Sequence, residues 1–182
     1  MQQNLNSHTR MVLDEERLEA AKQSLDQGAV TPEMTQWRDD IVKLLNDALA
    51  TEIVCVLRYK RHYFTATGLE SPAIAEEFLV HANEEQAHAD KIAKRIVQLG
   101  GEPDLNPDTL TQRSHADYSP DSDLRSMIRA NLIAERVAIE AYSQMIELIG
   151  DKDPSSRRLI EHILEQEQEH ADELSDWMKH AT

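Results

Sequence analysis

Six residues in this 182-residue chain stand out for both type and spacing: Glu52, Glu85, His88, Glu135, Glu167 and His170. Two of the glutamates open Glu-x-x-His pairs, at 85–88 and 167–170, and the other two stand alone ahead of them. On a helix, positions i and i+3 project to one face, so one turn offers a carboxylate oxygen and an imidazole nitrogen to the same ion. Four carboxylates and two imidazoles suit two ions of iron or manganese with carboxylates between them. Zinc takes fewer ligands and more nitrogen or sulfur. With 19 Glu and 8 His present, such pairs also arise by chance, so the motif alone carries little. The repetition carries more. Glu52 and Glu85 are 33 residues apart, Glu135 and Glu167 are 32 apart, and Tyr59 and Tyr142 each follow their lone glutamate by seven.

Positioning these groups requires helices, and the punctuation of the chain supplies four long ones. Thr31-Pro32 starts a periodic segment that runs to Thr67 and is closed by Gly68; Ser71-Pro72 restarts a helix that reaches Leu99 before Gly100-Gly101. A third is expected from about Ser122 to Ile149, stopped by Gly150, and Asp153-Pro154 opens a fourth. Apolar residues recur at alternating three- and four-residue spacing, the inward seam of a bundle. The seams read Ile41, Leu45, Ala48, Glu52, Cys55, Tyr59, His62; then Ile74, Phe78, His81, Glu85, His88, Ile92. The third is Leu124, Ile128, Asn131, Glu135, Ala138, Tyr142, Met145, Ile149, and the fourth is Ile160, Ile163, Glu167, His170, Leu174, Trp177. Each is interrupted near its middle by a glutamate.

Counting from the turns, Glu52 lies 16 residues before Gly68 and Glu85 lies 14 after Ser71; Glu135 lies 15 before Gly150 and Glu167 lies 13 after Pro154. At 1.5 Å per residue all four sit roughly 20–24 Å from a turn, which makes them level. Desolvating a carboxylate costs several kcal/mol, so four at one depth need protons or cations between them. The competing reading is a metal-free network of histidines hydrogen-bonded to glutamates. The connection over 101–121 carries Pro103, Pro107 and Pro120 and is long enough to span the bundle, which would leave helices two and three parallel. The expected fold is all-α: a four-helix bundle over 36–182 with one long crossover, preceded by an N-terminal helical extension over 1–35. In that extension Val12, Leu13, Leu18, Ala21 and Leu25 form a short amphipathic stretch.

Composition agrees with helix, since aromatics are 4% and Gly only 5 residues. A net charge of −15 argues against direct binding of nucleic acid or anionic membranes. The single cysteine, Cys55, cannot form an internal disulfide. With no apolar leader and no run of 18 apolar residues, a cytoplasmic location is expected.

The pattern Glu52, Glu85-Gln86-Ala87-His88, Glu135, Glu167-Gln168-Glu169-His170 resembles the di-iron site of bacterioferritins, and the likeness runs from about residue 44 to 178. The resemblance implies a ferritin-like bundle in which Glu52 and His88 serve one iron, Glu135 and His170 the other, and Glu85 and Glu167 bridge. Mn or Zn would serve as substitutes. It also implies that Tyr59 lies close to the centre, either as an electron donor during O2 reduction or as a core tyrosine. Tyr142 is read as packing, Asn131 as bonding to a ligand, and His62 and His81 as structural or supporting. In that family a methionine directly after the first bridging glutamate binds haem. Here that position is Gln86, so no haem is expected.

The resemblance further implies a homo-oligomer, a twelve-subunit cage or a smaller assembly rather than the 24-subunit shell, that oxidises Fe(II) with O2 or H2O2 for iron storage and protection from oxidants. The alternative is another di-metal redox enzyme of the ferritin-like superfamily: a peroxidase, a manganese catalase or a hydroxylase. A third reading is a helical interaction protein with the N-terminal segment as its arm.

Overall fold

The computed structural model describes residues 11–68 and 71–180, and among these no strand occurs. In chain order the helices are α1 Glu15–Ala20, α2 Pro32–Thr35, α3 Arg38–Thr65, α4 Ser71–Gln98, α5 Leu110–Arg113, α6 Leu124–Ile149 and α7 Pro154–His180, with a 3-10 turn at Leu25–Gln27. Four of them, of 28, 28, 26 and 27 residues, form the expected bundle. Helix α3 packs along α4 and α6 along α7, while α3 meets α6 and α4 meets α7 more sparingly. No described helix is long and apolar enough to cross a membrane.

The stop and start signals act as local physical chemistry requires. Gly150 ends α6 with φ +50, a conformation that costs an L side chain steric strain. The Asp123 carboxylate accepts from the Ser126 amide at the start of α6. Gly101 lets the chain leave α4 against α3: a Cβ there would lie 2.7 Å from Val42 Cγ1. The turn between α3 and α4 falls partly outside the described residues, since 69 and 70 are not among them.

Two expectations about the first helix need correction. The segment opening at Thr31-Pro32 makes only the short α2, and α3 begins separately after Trp37, whose φ and ψ are −108 and −8. The break allows Met34 to pack on the core and Trp37 to receive Lys152 Nζ at 5.2 Å from its ring centroid. At the other end α3 stops at Thr65, two residues early. The amphipathic stretch before it is also shorter than its pattern suggests: α1 has six residues and buries none. Met11, Val12, Leu13, Leu18 and Leu25 all stand exposed.

The crossover runs beside α3 in the direction of α3. Asn46 holds Glu102 O and the Asp104 amide, Thr51 Oγ1 accepts from the His115 amide, and Arg58 and Arg61 donate to the carbonyls of Asp117 and Asp121. These contacts carry the chain the length of the bundle, so α6 starts at the end where α4 started and the two run parallel.

The core has two ends of different character. One is aliphatic, built from Ile41, Leu45, Leu49, Ile92, Ile96, Ile149, Ile160 and Ile163. The other gathers Tyr59, Phe78, Met127, Ile128 and Leu174, with Tyr63 and Trp177 packed on it. The six candidate ligands lie between the two. At the far aliphatic end, Asp153 caps α7 by accepting the Ser155 and Ser156 amides at 3.1 Å and binds Arg95 Nη2 of α4 at 2.8 and 2.9 Å. Removing a buried partner leaves the other charge unpaired. Asp153→Ala is therefore expected to cost about 3 kcal/mol. That lowers the melting temperature by roughly 6–12 °C for a chain of this size. Calorimetry checks it, and a loss of less than about 2 °C would show that the clamp contributes little.

Candidate metal centre

Helical periodicity places Glu52 on α3, Glu85 and His88 on α4, Glu135 on α6 and Glu167 and His170 on α7, all on inward faces and all buried. The structure brings the six together as two groups that share two members. Glu52, Glu85, His88 and Glu167 form one, and Glu85, Glu135, Glu167 and His170 the other; within each, ligand atoms lie within 4.8 Å of one another. His88 Nδ1 faces Glu167 Oε1 at 3.1 Å, Glu52 Oε2 at 3.3 Å and Glu85 Oε2 at 3.4 Å. His170 Nδ1 faces Glu85 Oε1 at 3.5 Å and Glu135 Oε2 at 4.0 Å.

The outward ring nitrogens are held by residues that the sequence pattern did not single out. His88 Nε2 meets Gln166 Oε1 at 3.0 Å, and His170 Nε2 meets Glu84 Oε2 at 2.8 Å. Each partner stands one residue before a central glutamate and reaches the histidine of the opposite hairpin. That repeated offset was the available signal. Such bonds fix which nitrogen turns inward. The tyrosines also cross between hairpins: Tyr59 donates to Glu135 Oε1 and Tyr142 to Glu52 Oε1. Tyr142 is therefore more than packing and matches Tyr59 in this bond. Asn131, by contrast, makes its hydrogen bonds to none of the six. Its Oδ1 accepts from Arg58 Nε at 2.8 Å and its Nδ2 lies 3.0 Å from His62 Nδ1, because Arg58 is buried and needs polar partners.

Charge at this centre is poorly matched by the protein alone. Both oxygens of Glu85, Glu135 Oε2, Glu167 Oε1 and His170 Nδ1 are buried without a hydrogen-bond partner among the described residues. Burial, and then the Glu85 charge, push the Glu52 carboxyl up to about 8; burial, then Glu85 and Glu52, push that of Glu167 well above its usual range. For Glu85, burial is outweighed by His170 and His88, and the carboxyl is held well below its usual range. Burial opposes the charged imidazoles too, yet Glu52 and Glu85 raise His88 to about 10, and Glu85 with Glu135 raises His170 to about 9. Burial together with Glu135 or Glu52 keeps the Tyr59 and Tyr142 phenols well above their usual range. Buried oxygens that lack donors yet converge with inward ring nitrogens fit two hard or borderline divalent cations.

Comparison with known proteins follows the same line. The ferritin-like domain matches residues 42–182. The chain belongs to the ferritin-like family. Among relatives of this ferritin-like chain, the bacterioferritin of Desulfovibrio desulfuricans is 29% identical over 134 residues, covering 71% of this chain and 69% of the relative. A nutrient stress-induced DNA-binding protein of Nostoc is 30% identical over 139 residues, 74% of each chain. The dodecameric thioferritin characterised as the bacterioferritin-related protein of Bacteroides fragilis superposes with a TM-score of 0.75 at 27% identity, covering 91% of this chain and 94% of that one.

The shifts set a pH dependence for the metal-free chain. Glu52 keeps its proton up to about 8 when folded but releases it near its ordinary 4.5 when unfolded. His88 and His170 hold theirs to about 10 and about 9 against an ordinary 6.5. Raised values favour the fold at low pH and withdraw that support as pH climbs through each window; Glu85 runs the other way, below its ordinary 4.5. The melting temperature of chelator-stripped protein is expected to fall between about pH 5 and about pH 9. Mn(II) at about a hundred times its dissociation constant should restore about 2.7 kcal/mol at neutral pH. A stripped protein that melts at one temperature across this range would contradict the charge balance described.

Proposed function

We propose that this ferritin-like chain is a ferroxidase. Two Fe(II) ions bind as substrate, one at Glu52 and His88 and one at Glu135 and His170, with Glu85 and Glu167 shared between them. O2 takes two electrons and two protons to give H2O2, or H2O2 takes them to give water, and two Fe(III) result. The observation that supports this most is the set of buried carboxylate oxygens without donors at a single depth of the bundle. The protein supplies oxygen and nitrogen ligands already turned inward, so little reorganisation accompanies binding. Tyr59, bonded to Glu135, holds that carboxylate and, where only one Fe(II) is bound, supplies the second electron in place of the missing iron, with its proton passing to Glu135.

Storage or detoxification of the iron, protection from oxidants, a cytoplasmic location and assembly into a cage belong to the same reading. The Bacteroides relative is dodecameric, which supports a closed homo-oligomer. The charge of −15 gives no footing for direct contact with a phosphate backbone. Gln86, where haem-binding relatives place methionine, supports a haem-free protein. Neither the family match nor the relatives favour a catalase, peroxidase or hydroxylase.

Stopped-flow absorbance after mixing metal-free protein with two equivalents of Fe(II) in aerated buffer tests the reading. Wild-type protein should oxidise the iron rapidly, and Glu85→Ala and His170→Ala should each slow it by about a hundredfold or more. Rates that match the wild type would remove the assignment. Native mass spectrometry should find a particle of about twelve chains, and a monomer that oxidises iron without retaining it would remove storage.

A further inference from the structure

The two hairpins repeat each other in their ligands but not in what surrounds them. Adding 82 carries Glu85 and His88 of α4 to Glu167 and His170 of α7, and adding 83 carries Glu52 and Tyr59 to Glu135 and Tyr142. Around His170 this register places Glu77, His81, Glu84 and Glu173. The counterparts around His88 are Leu159, Ile163, Gln166 and Lys91. Ligand-type side chains therefore lead outward from the centre at the His170 end, while around His88 the register gives aliphatic Leu159 and Ile163 with the amide of Gln166. Glu84 and Glu173 reach solvent, with side chains 41% and 54% exposed.

His81 sits between this surface and the centre. Its side chain is 1% exposed and its ring stacks on His170 with centroids 4.1 Å apart. Nδ1 lies 3.2 Å from the Tyr59 hydroxyl oxygen, whose own proton goes to Glu135. Nδ1–H must therefore be the donor to Tyr59. Nε2 then faces Glu173 Oε2, 2.9 Å away. A ring nitrogen and a carboxylate oxygen at this distance are joined by something positive between them, a proton or a metal ion. Two ligand atoms about 2.1 Å from one divalent ion and at right angles lie about 3.0 Å apart. A third oxygen is available from Glu77, and ligand atoms of the three residues lie within 4.8 Å of one another.

We propose that Glu77, His81 and Glu173 form a third divalent-cation site between α4 and α7, at which Fe(II) sheds water before passing to the position held by Glu135 and His170. This rests on the ferroxidase reading of the centre. A cation taken from the aliphatic end would pass a cluster of Ile and Leu side chains that cannot replace its hydration, which carries a cost of several kcal/mol or more. Through Glu77 and Glu173 it meets carboxylates first, then the His81 nitrogen, and then Glu84 beside His170.

Crystals of the whole protein soaked in Zn(II), with anomalous scattering recorded at the zinc edge, separate the possibilities. Wild-type crystals should show peaks at both central positions and a third between Glu77, His81 and Glu173. The double variant Glu77→Gln/Glu173→Gln should lose the third and keep the central two. In solution, Mn(II) titration followed by electron paramagnetic resonance should show the affinity of the additional, weaker site falling by about tenfold or more in Glu173→Gln. Central peaks without a third in the wild type would mean that a proton alone joins His81 to Glu173, and would overturn this inference while leaving the ferroxidase reading intact. A third peak that persists in the double variant would also overturn it. No zinc at the centre would overturn the ferroxidase reading itself.

Discussion

Holding four carboxylates at one level of a dry helical interior is the constraint from which most of this architecture follows. Glu52, Glu85, Glu135 and Glu167 are each buried to 1% exposure or less, and the chain brings them few donors. Two phenols serve the lone glutamates, and two imidazoles turn one nitrogen inward while Gln166 and Glu84 occupy the other. What remains faces the centre without partners. An apolar core cannot supply water there, so protons or multivalent cations must balance the charge. Membership of the ferritin-like family agrees with the second.

The same bonds join the two halves of the molecule. Tyr59 of α3 reaches Glu135 of α6, Tyr142 of α6 reaches Glu52 of α3, and each histidine is held from the opposite hairpin. Within a hairpin the helices pack closely, whereas between hairpins contacts are fewer. Docking the hairpins therefore completes the centre, and a cation bound there stabilises the docked bundle.

Internal repetition gives symmetry in the ligands, and its breaking gives direction. Arg58, Asn131 and His62 cluster near Tyr59, where the register places Ala141, Ala48 and Met145 in the other half. The crossover lies against the same side of α3, with Asp117 O on Arg58. One end of the bundle therefore carries buried polar groups among its aromatic side chains, and the other is aliphatic and closed by the Asp153 clamp.

Helix faces, the ends of α4 and α6 at glycine, and the level of the glutamates were legible in the chain, because periodicity and glycine or proline stops act over a few residues and do not depend on the rest of the fold. All four seams proved inward over their central turns, and all six candidate ligands meet. The crossover could be inferred from length alone. Partners across helices could not. Asn131 looked placed for a ligand but answers buried Arg58, Tyr142 looked like packing but holds Glu52, and Glu84 and Gln166 passed unnoticed as ordinary polar residues. The break at Trp37 likewise brings its ring to Lys152, 115 positions away, a contact that no local pattern announces. A side chain's facing direction follows from its own helix, but its partner depends on how neighbouring helices rotate and slide against it, and that is set by packing of the whole bundle.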